Sequence, residues 1–318
     1  MKISFGIINY NRLFYLKSCA ESLIQSIEDY DGEVELICID DNSKEPGTKE
    51  YLQTLTDRGW TVINQEDERE KQKKEIGEIK DVIDEFSAAL NIFYKKSSGA
   101  ILAPLQGDSQ FVRKNWLQDY VELFSQRDDV FTVTFDAQRM ARLKNAHFTN
   151  HTKHGNNIFA VSPSRIISGA GDCFYKREYL DAIGGWYVGE NINAEDLFTT
   201  TAKNMFPNKK VYVPWIPVSV AIYTDPRGTQ GRVRGNIRYG LYWEAQKDNM
   251  YYQWIDRKTL NINKNRPLCI EEMAIPNGTW ELPIDEEGNW KKNPINWPVE
   301  KENVPYEIIF YKGKKDEV

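Results

Sequence analysis

The chain has 318 residues, with 41 Lys and Arg against 47 Asp and Glu and a formal net charge of -6 at pH 7. That length allows one large domain or two modest ones, with a core that needs no disulfide staple. The acidic balance excludes a dedicated nucleic-acid binder, which needs surplus Lys and Arg against phosphate. Ile3 to Ile8 is a short apolar run suited to a strand covered on both faces. Leu13, Leu16, Ala20, Leu23, Ile24 and Ile27 then recur at helical spacing. Glu35 to Ile39 reads as a second strand, Thr48 to Leu55 as a helix and Trp60 to Ile63 as a third strand. This alternation predicts an α/β fold: a mostly parallel, twisted, Rossmann-like sheet with helices on both faces.

Residues 66–75 are a charge run in which Asp67 and Lys71, and Glu70 and Lys74, stand four apart, as on a solvated helix or an exposed loop. Ile79, Val82, Ile83, Phe86, Ala89, Leu90 and Phe93 form an apolar helical stripe, with Gly99 at the turn beyond it. Ile101 to Leu105 is a further strand and runs into Gln106-Gly107-Asp108. Trp116, Leu117, Tyr120, Val121 and Phe124 mark a helix, and Val130 to Phe135 another strand. His147, His151 and His154 share a face if their segment is helical, and otherwise lie in a polar loop. Ile167 to Asp172 reads as a flexible turn before the aromatic run Cys173 to Tyr175. Gly184-Gly185-Trp186 reads as a sharp turn, and Asn193-Ala194-Glu195-Asp196 opens a helix through about Asn204. From about residue 225 the texture changes to Gly and Arg, then to Trp, Pro and Asn without periodicity. The expectation is a domain over residues 1–225 and an irregular extension, 226–318, packed on it. Cys19, Cys38, Cys173 and Cys269 show no CxxC spacing and read as reduced thiols of a cytoplasmic protein. No run of about 18 apolar residues occurs, so membrane contact is peripheral at most.

In an open parallel sheet, ligands bind beyond the carboxyl ends of the strands. Three polar clusters follow strands here: Asn9-Tyr10-Asn11-Arg12, Asp40-Asp41-Asn42-Ser43 and Gln106-Gly107-Asp108. They are expected to meet along one edge, although Asp-Asp-Asn-Ser is also an ordinary turn and helix-capping sequence. No GxGxxG, GxxxxGK[ST] or GxSxG loop is present, which removes support for dinucleotide binding, P-loop hydrolysis and serine-hydrolase chemistry. Glu195 and Asp196 suit a helix N-terminus electrostatically, and the same place suits a catalytic base.

Taken in order, these segments resemble the family 2 inverting glycosyltransferases of the GT-A fold over roughly residues 1–225. The resemblance rests on Asn9 to Arg12, Asp40 to Ser43, the helix segment Ala88 to Asn91, the Gln106 to Asp108 segment, Gly184 to Trp186, and Glu195-Asp196. It implies a nucleotide-sugar donor, commonly a UDP-sugar, and a glycan, lipid-linked sugar or protein acceptor. By position it gives Tyr10, Asn11, Arg12, Asp40 and Gln106 to the nucleotide, Asp108 to a Mn or Mg ion, and Asp196 to general-base catalysis. Glu195 and Trp186 fall on the acceptor side. Two departures stand out. Gln106 replaces the first carboxylate of the metal motif, and no histidine follows His154. Tyr223, Asp225 or water fills the late metal position, or else Arg232, Arg234 and Arg238 close over the diphosphate. Those arginines also fit a solvated basic loop. Two rival functions are a sugar nucleotidyltransferase, whose glycine-bearing loop after the first strand is missing, and a non-catalytic carbohydrate- or nucleotide-binding protein.

Overall fold

The computed structural model describes residues 1–11, 13–76, 82–107, 109–111, 113–135, 150–155, 157–162, 171–188, 194–214, 218–221, 253–256 and 261–267. In chain order the first elements are β1 (Ile3–Asn9), α1 (Leu13–Ile27), β2 (Val34–Asp40), α2 (Thr48–Asp57), β3 (Thr61–Asn64), α3 (Gln65–Ile76), α4 (Val82–Lys96) and β4 (Ile101–Leu105). Then follow β5 (Ser109–Phe111), α5 (Leu117–Gln126), β6 (Val130–Thr134), β7 (Asn150–His154), β8 (Asn157–Ser162) and β9 (Cys173–Lys176). The last are α6 (Arg177–Ile183), α7 (Ala194–Met205), β10 (Lys210–Pro214), β11 (Ser219–Ala221), β12 (Gln253–Asp256) and β13 (Asn261–Pro267).

Nine strands form one sheet in the order β3-β2-β1-β4-β9-β6-β10-β8-β7. β1, β2, β3 and β4 are mutually parallel, as their buried apolar runs predict. Strand β9 is antiparallel to both of its neighbours, β4 and β6, and β10 continues parallel to β6. The expected α/β sheet is therefore present, with an antiparallel strand set into its middle and an antiparallel pair, β8 and β7, at one margin.

Each strand divides its side chains between two cores, because successive residues face opposite sides. Ile3, Phe5 and Ile7 of β1, with Ile101, Ala103 and Leu105 of β4, join the core that packs on α1 and α5. Ile8 and Leu102 go to the other face, with Ala89, Leu90 and Phe93 of α4, Tyr179 and Leu180 of α6, and Phe198 and Ala202 of α7. Phe174 of β9 is the centre of an aromatic cluster, with ring centroids 4.9 Å from Phe135, 5.6 Å from Phe5 and 5.8 Å from Trp116.

Residues 66–75 lie on α3, which settles the charge run as a helix. The apolar stripe beyond it is α4, and Ile79 lies outside the described residues. His151 and His154 do not share a helix. They lie on β7, and a spacing of three does not put two positions on one face of a strand. The His154 Nε2 atom lies 3.7 Å from Glu122 of α5, and His147 is outside the described residues. Cys19, Cys38 and Cys173 are buried thiols and form no disulfide. Beyond residue 225 the described residues are the β12–β13 ladder. Among the described residues no helix is long and apolar enough to cross a membrane.

Candidate functional site

The carboxyl ends of β1, β2 and β3 are level, because Asn9 pairs with Asp40 and Asp40 with Asn64 in register. The polar clusters after β1 and β2 therefore meet, as the strand-end rule predicts. Asp40, only 4% exposed, accepts from Asn9 Nδ2 at 2.7 Å, from Ser43 Oγ at 2.6 Å and from Ser43 N at 2.9 Å. A carboxylate this buried is stable when such donors surround it. Asn11 and Asn42 take left-handed backbone angles, φ 48° and 52°, which asparagine tolerates better than most residues. Asn11 Oδ1 accepts from Lys44 N at 2.6 Å and Glu45 N at 3.1 Å, and Asn11 N donates to Ser43 Oγ at 2.9 Å. Glu45 completes the lattice by accepting from Leu13 N, the first residue of α1, at 2.8 Å. Asn11 and Asp40 thus brace two loops against each other, with Tyr10 half-buried beside them.

On the other side of β1 is the turn after β4. Gly107 has φ +79°, and a Cβ there would lie 3.0 Å from the Ile8 carbonyl oxygen. The residue must be glycine both for its angle and for its close approach to the end of β1. Gln106 is half-buried, and its backbone N–H donates to Asp172 Oδ1 at 3.3 Å. Strand β5 starts immediately after Asp108 and pairs with β11, with Ser109 opposite Ala221. Arg12, Asp108, Arg232 and Arg234 lie outside the described residues.

The residues expected on the acceptor side lie around α4 and α7. Gly184 and Gly185 have φ 89° and 87°, so the sharp turn is built on left-handed glycines. Asn91 of α4 clasps this turn: its Nδ2 donates to the Trp186 carbonyl oxygen at 2.7 Å, and its Oδ1 accepts from Trp186 N at 2.8 Å. The Trp186 ring stacks on Phe198 of α7 with centroids 5.4 Å apart and planes 11° from parallel. Trp186 is 3% exposed, and its ring packs in the core against α7. Glu195 and Asp196 stand in the first turn of that helix, with Glu195 half-buried. Replacing Asn91 with alanine removes both of these partly buried hydrogen bonds. The expected loss is about 1–3 kcal/mol of stability, readable by urea denaturation. A change below about 0.5 kcal/mol, the level of an ordinary surface substitution, would show that the clasp contributes nothing.

Neither the Asp40 lattice nor the Asn91 clasp was assigned from sequence. Asn9 and Ser43 belonged to recognised clusters, but their bonding to Asp40 had no sequence signal beyond position. Glu45 had none, and neither did the contact of Asp172 with Gln106.

A doubly wound sheet with an inserted antiparallel strand, and polar loops gathered at the carboxyl edge of β1, β2 and β4, define the GT-A class. Residues 4–74, from β1 into α3, match the model of the family described as Glycosyl transferase family 2. No curated protein sequence matches the chain. Among solved structures, Staphylococcus aureus TarS 1-349 in complex with UDP is similar at 15% identity and TM-score 0.47, over 67% of this chain and 57% of that one. The same TarS region in complex with UDP-GlcNAc gives 16% and 0.45, over 67% and 56%. The mannosyltransferase PcManGT from Pyrobaculum calidifontis, in complex with GDP-Man and Mn2+, gives 16% and 0.45, over 68% and 57%. The chain therefore spans less than two thirds of the length of these proteins.

Proposed function

We propose that the chain transfers a sugar, with inversion, from a nucleotide-sugar, a UDP-sugar in the first instance, to a hydroxyl of a glycan, lipid-linked sugar or protein. The observation that carries this reading is the braced edge formed by Asn9, Asp40 and Ser43, which lies inside the family-matched segment. Tyr10, Asn11, Arg12 and Asp40 form the base end of the donor site. The second lone pair of Asp40 Oδ2 accepts a ring N–H. Gln106, with Arg232 and Arg234, faces the diphosphate. Asp196 takes the proton of the acceptor hydroxyl as the anomeric carbon is attacked, and Glu195 fixes the acceptor. Residues 1–225 are the transferase domain and 226–318 an extension on it, in a cytoplasmic protein.

Among the described residues at the turn after β4, the Gln106 side-chain amide offers an oxygen and the Asp172 carboxylate lies beside its backbone, while Asp108 lies outside the described residues. Among the described residues no group of three His, Cys, Asp or Glu is arranged for a metal. Oxygen donors of this kind suit Mn or Mg, which take one or two carboxylates and complete their shells with phosphate and water. They do not fit a zinc-type site. A bound Mn or Mg ion would neutralise charge on the departing nucleoside diphosphate.

Release of nucleoside diphosphate from a panel of nucleotide-sugars, with Mn or Mg and with excess chelator, tests the proposal. Chelator is expected to abolish most release, and Asp108→Asn to raise the metal requirement more than about tenfold, at least the effect of disturbing a metal-supporting residue. Failure to bind or consume any nucleotide-sugar under either condition overturns the reading. Full activity in chelator would transfer the charge-neutralising role to Arg232 and Arg234. Gln106 favours one second reading, a binding protein without turnover, which the same panel separates by tight donor binding with no release.

A further inference from the structure

An ionised carboxylate offers about four acceptor positions, shared between its two oxygens. On Asp40 the chain itself fills all but one of them. Oδ1 accepts from Asn9 Nδ2 at 2.7 Å and from Ser43 Oγ at 2.6 Å, and Oδ2 accepts from Ser43 N at 2.9 Å. The donors around it are used up as well. Asn9 Nδ2 spends its other hydrogen on Ser43 Oγ at 3.2 Å, and Ser43 Oγ also accepts from Asn11 N at 2.9 Å. That hydroxyl thus has no capacity left. The Asn9 amide has one orientation here, because only its nitrogen can face a carboxylate. Two atoms of this network make no hydrogen bond of their own to the described residues: the second lone pair of Asp40 Oδ2, and Asn9 Oδ1. Both are acceptors, on side chains 4% and 3% exposed. Asn9 is also the firmest member of the network. It ends β1, which is paired on one side with β2 and on the other with β4, and its carbonyl oxygen accepts from Asp41 N at 2.9 Å.

We propose that Asn9 is the positioning residue of the base site: it holds Asp40 as an acceptor with one free direction, and so restricts the donor to bases that carry a proton on the ring nitrogen. The inference rests on the donor-site reading above and adds its base selectivity. Uracil, thymine and guanine bring a ring N–H to that lone pair. Cytosine and adenine bring a bare ring nitrogen, which sets lone pair against lone pair and leaves a buried acceptor unpaired. Each of those two also carries an exocyclic amino group beside the bare nitrogen. A carboxylate free to swing would follow that amino group and accept both kinds of base. Asp40 cannot follow it, because turning would break its bonds to Asn9 and Ser43 together. Selectivity therefore comes from the restraint on Asp40 as much as from its charge.

The test is calorimetric binding of UDP against CDP, and of GDP against ADP, two pairs matched in ring size, all at one Mn2+ concentration. The proteins are the unmodified chain, Asn9→Leu, Asn9→Ser, Asp40→Asn and the double variant Asn9→Leu with Asp40→Asn. In the pair that binds, the unmodified chain is expected to prefer the base with the ring N–H by more than about tenfold. Leucine has the shape of asparagine and no donor, so Asn9→Leu is expected to bring the preference within about threefold. Asn9→Ser keeps one hydroxyl donor and is expected to fall between the two. It also carries the test if the leucine variant does not fold. In the Asp40→Asn background, adding Asn9→Leu is expected to change the preference less than about twofold, because a residue that acts through Asp40 has nothing left to position. A purely structural role of Asn9 would weaken both members of a pair equally and leave their ratio unchanged. No preference in the unmodified chain, an unchanged ratio in the Asn9 variants, or an additive loss in the double variant overturns the inference while leaving the donor site standing. An unmodified chain that binds none of the four nucleotides refutes the donor-site reading and this inference together.

Discussion

Asp196→Asn is expected to lower turnover about 10²–10⁴-fold, the usual cost of losing a general base, while leaving nucleotide affinity within about twofold. Direct displacement at an anomeric carbon needs the acceptor hydroxyl deprotonated as it attacks, and asparagine cannot take that proton. The loss corresponds to about 3–5 kcal/mol of barrier. Asp196 and Glu195 are adjacent positions in the first turn of α7, about 100° apart around the helix axis. Glu195→Gln is therefore expected to have the milder effect and to act on acceptor KM. The start of the helix is held in place by tertiary contacts: Phe198 stacks on Trp186, and Trp186 is clasped by Asn91. The measurements are kcat and donor dissociation constant for both variants. Near-normal turnover in Asp196→Asn, or a donor-binding loss as large as that of Asp108→Asn, would return the pair to a helix-capping role.

The second large effect is on stability. Trp116 is fully buried, with its ring centroid 4.9 Å from Tyr120, 5.6 Å from Phe135, 5.8 Å from Phe174 and 6.0 Å from Phe111. Its Nε1–H donates to Ser26 Oγ at 2.6 Å, and that hydroxyl donates to the Arg113 carbonyl oxygen at 2.6 Å. The residue therefore joins α1, β5 and α5 through both apolar and polar contacts. Trp116→Ala is expected to cost about 3–5 kcal/mol, a large share of the roughly 5–15 kcal/mol that holds a domain folded. Trp116→Phe keeps most of the apolar contact and loses the indole donor, so it is expected to cost about 1–3 kcal/mol less than the alanine variant. Urea denaturation of both variants decides the matter. A loss below about 1.5 kcal/mol in Trp116→Ala would mean that the aromatic cluster repacks around the gap. Because β5 follows Asp108 directly, nucleotide binding at elevated temperature is expected to fail in parallel with unfolding.

The sequence by itself determined the sheet's first half and the edge that carries the site. The runs at β1, β2 and β4, and the helical stripes of α1 and α4, are local periodicities. The rule that ligands gather beyond parallel strand ends turned three separate polar clusters into one expected edge. The level register of Asn9, Asp40 and Asn64 agrees with that expectation. The left-handed glycines at 184 and 185 were legible for the same reason, since a sharp Gly-Gly turn is a local signal. The tertiary structure alone decided what those residues touch. Asn91 reaches Trp186 across 95 residues, and Asp172 reaches Gln106 across 66. Neither separation leaves a periodic trace in the chain. Trp186 shows the consequence: the resemblance places it on the acceptor side by position, and the packing puts its ring in the core against Phe198. A tryptophan's type says that it needs a large apolar contact and a partner for its N–H. Whether a sugar or Phe198 provides that contact is settled only when α6 and α7 pack on the sheet.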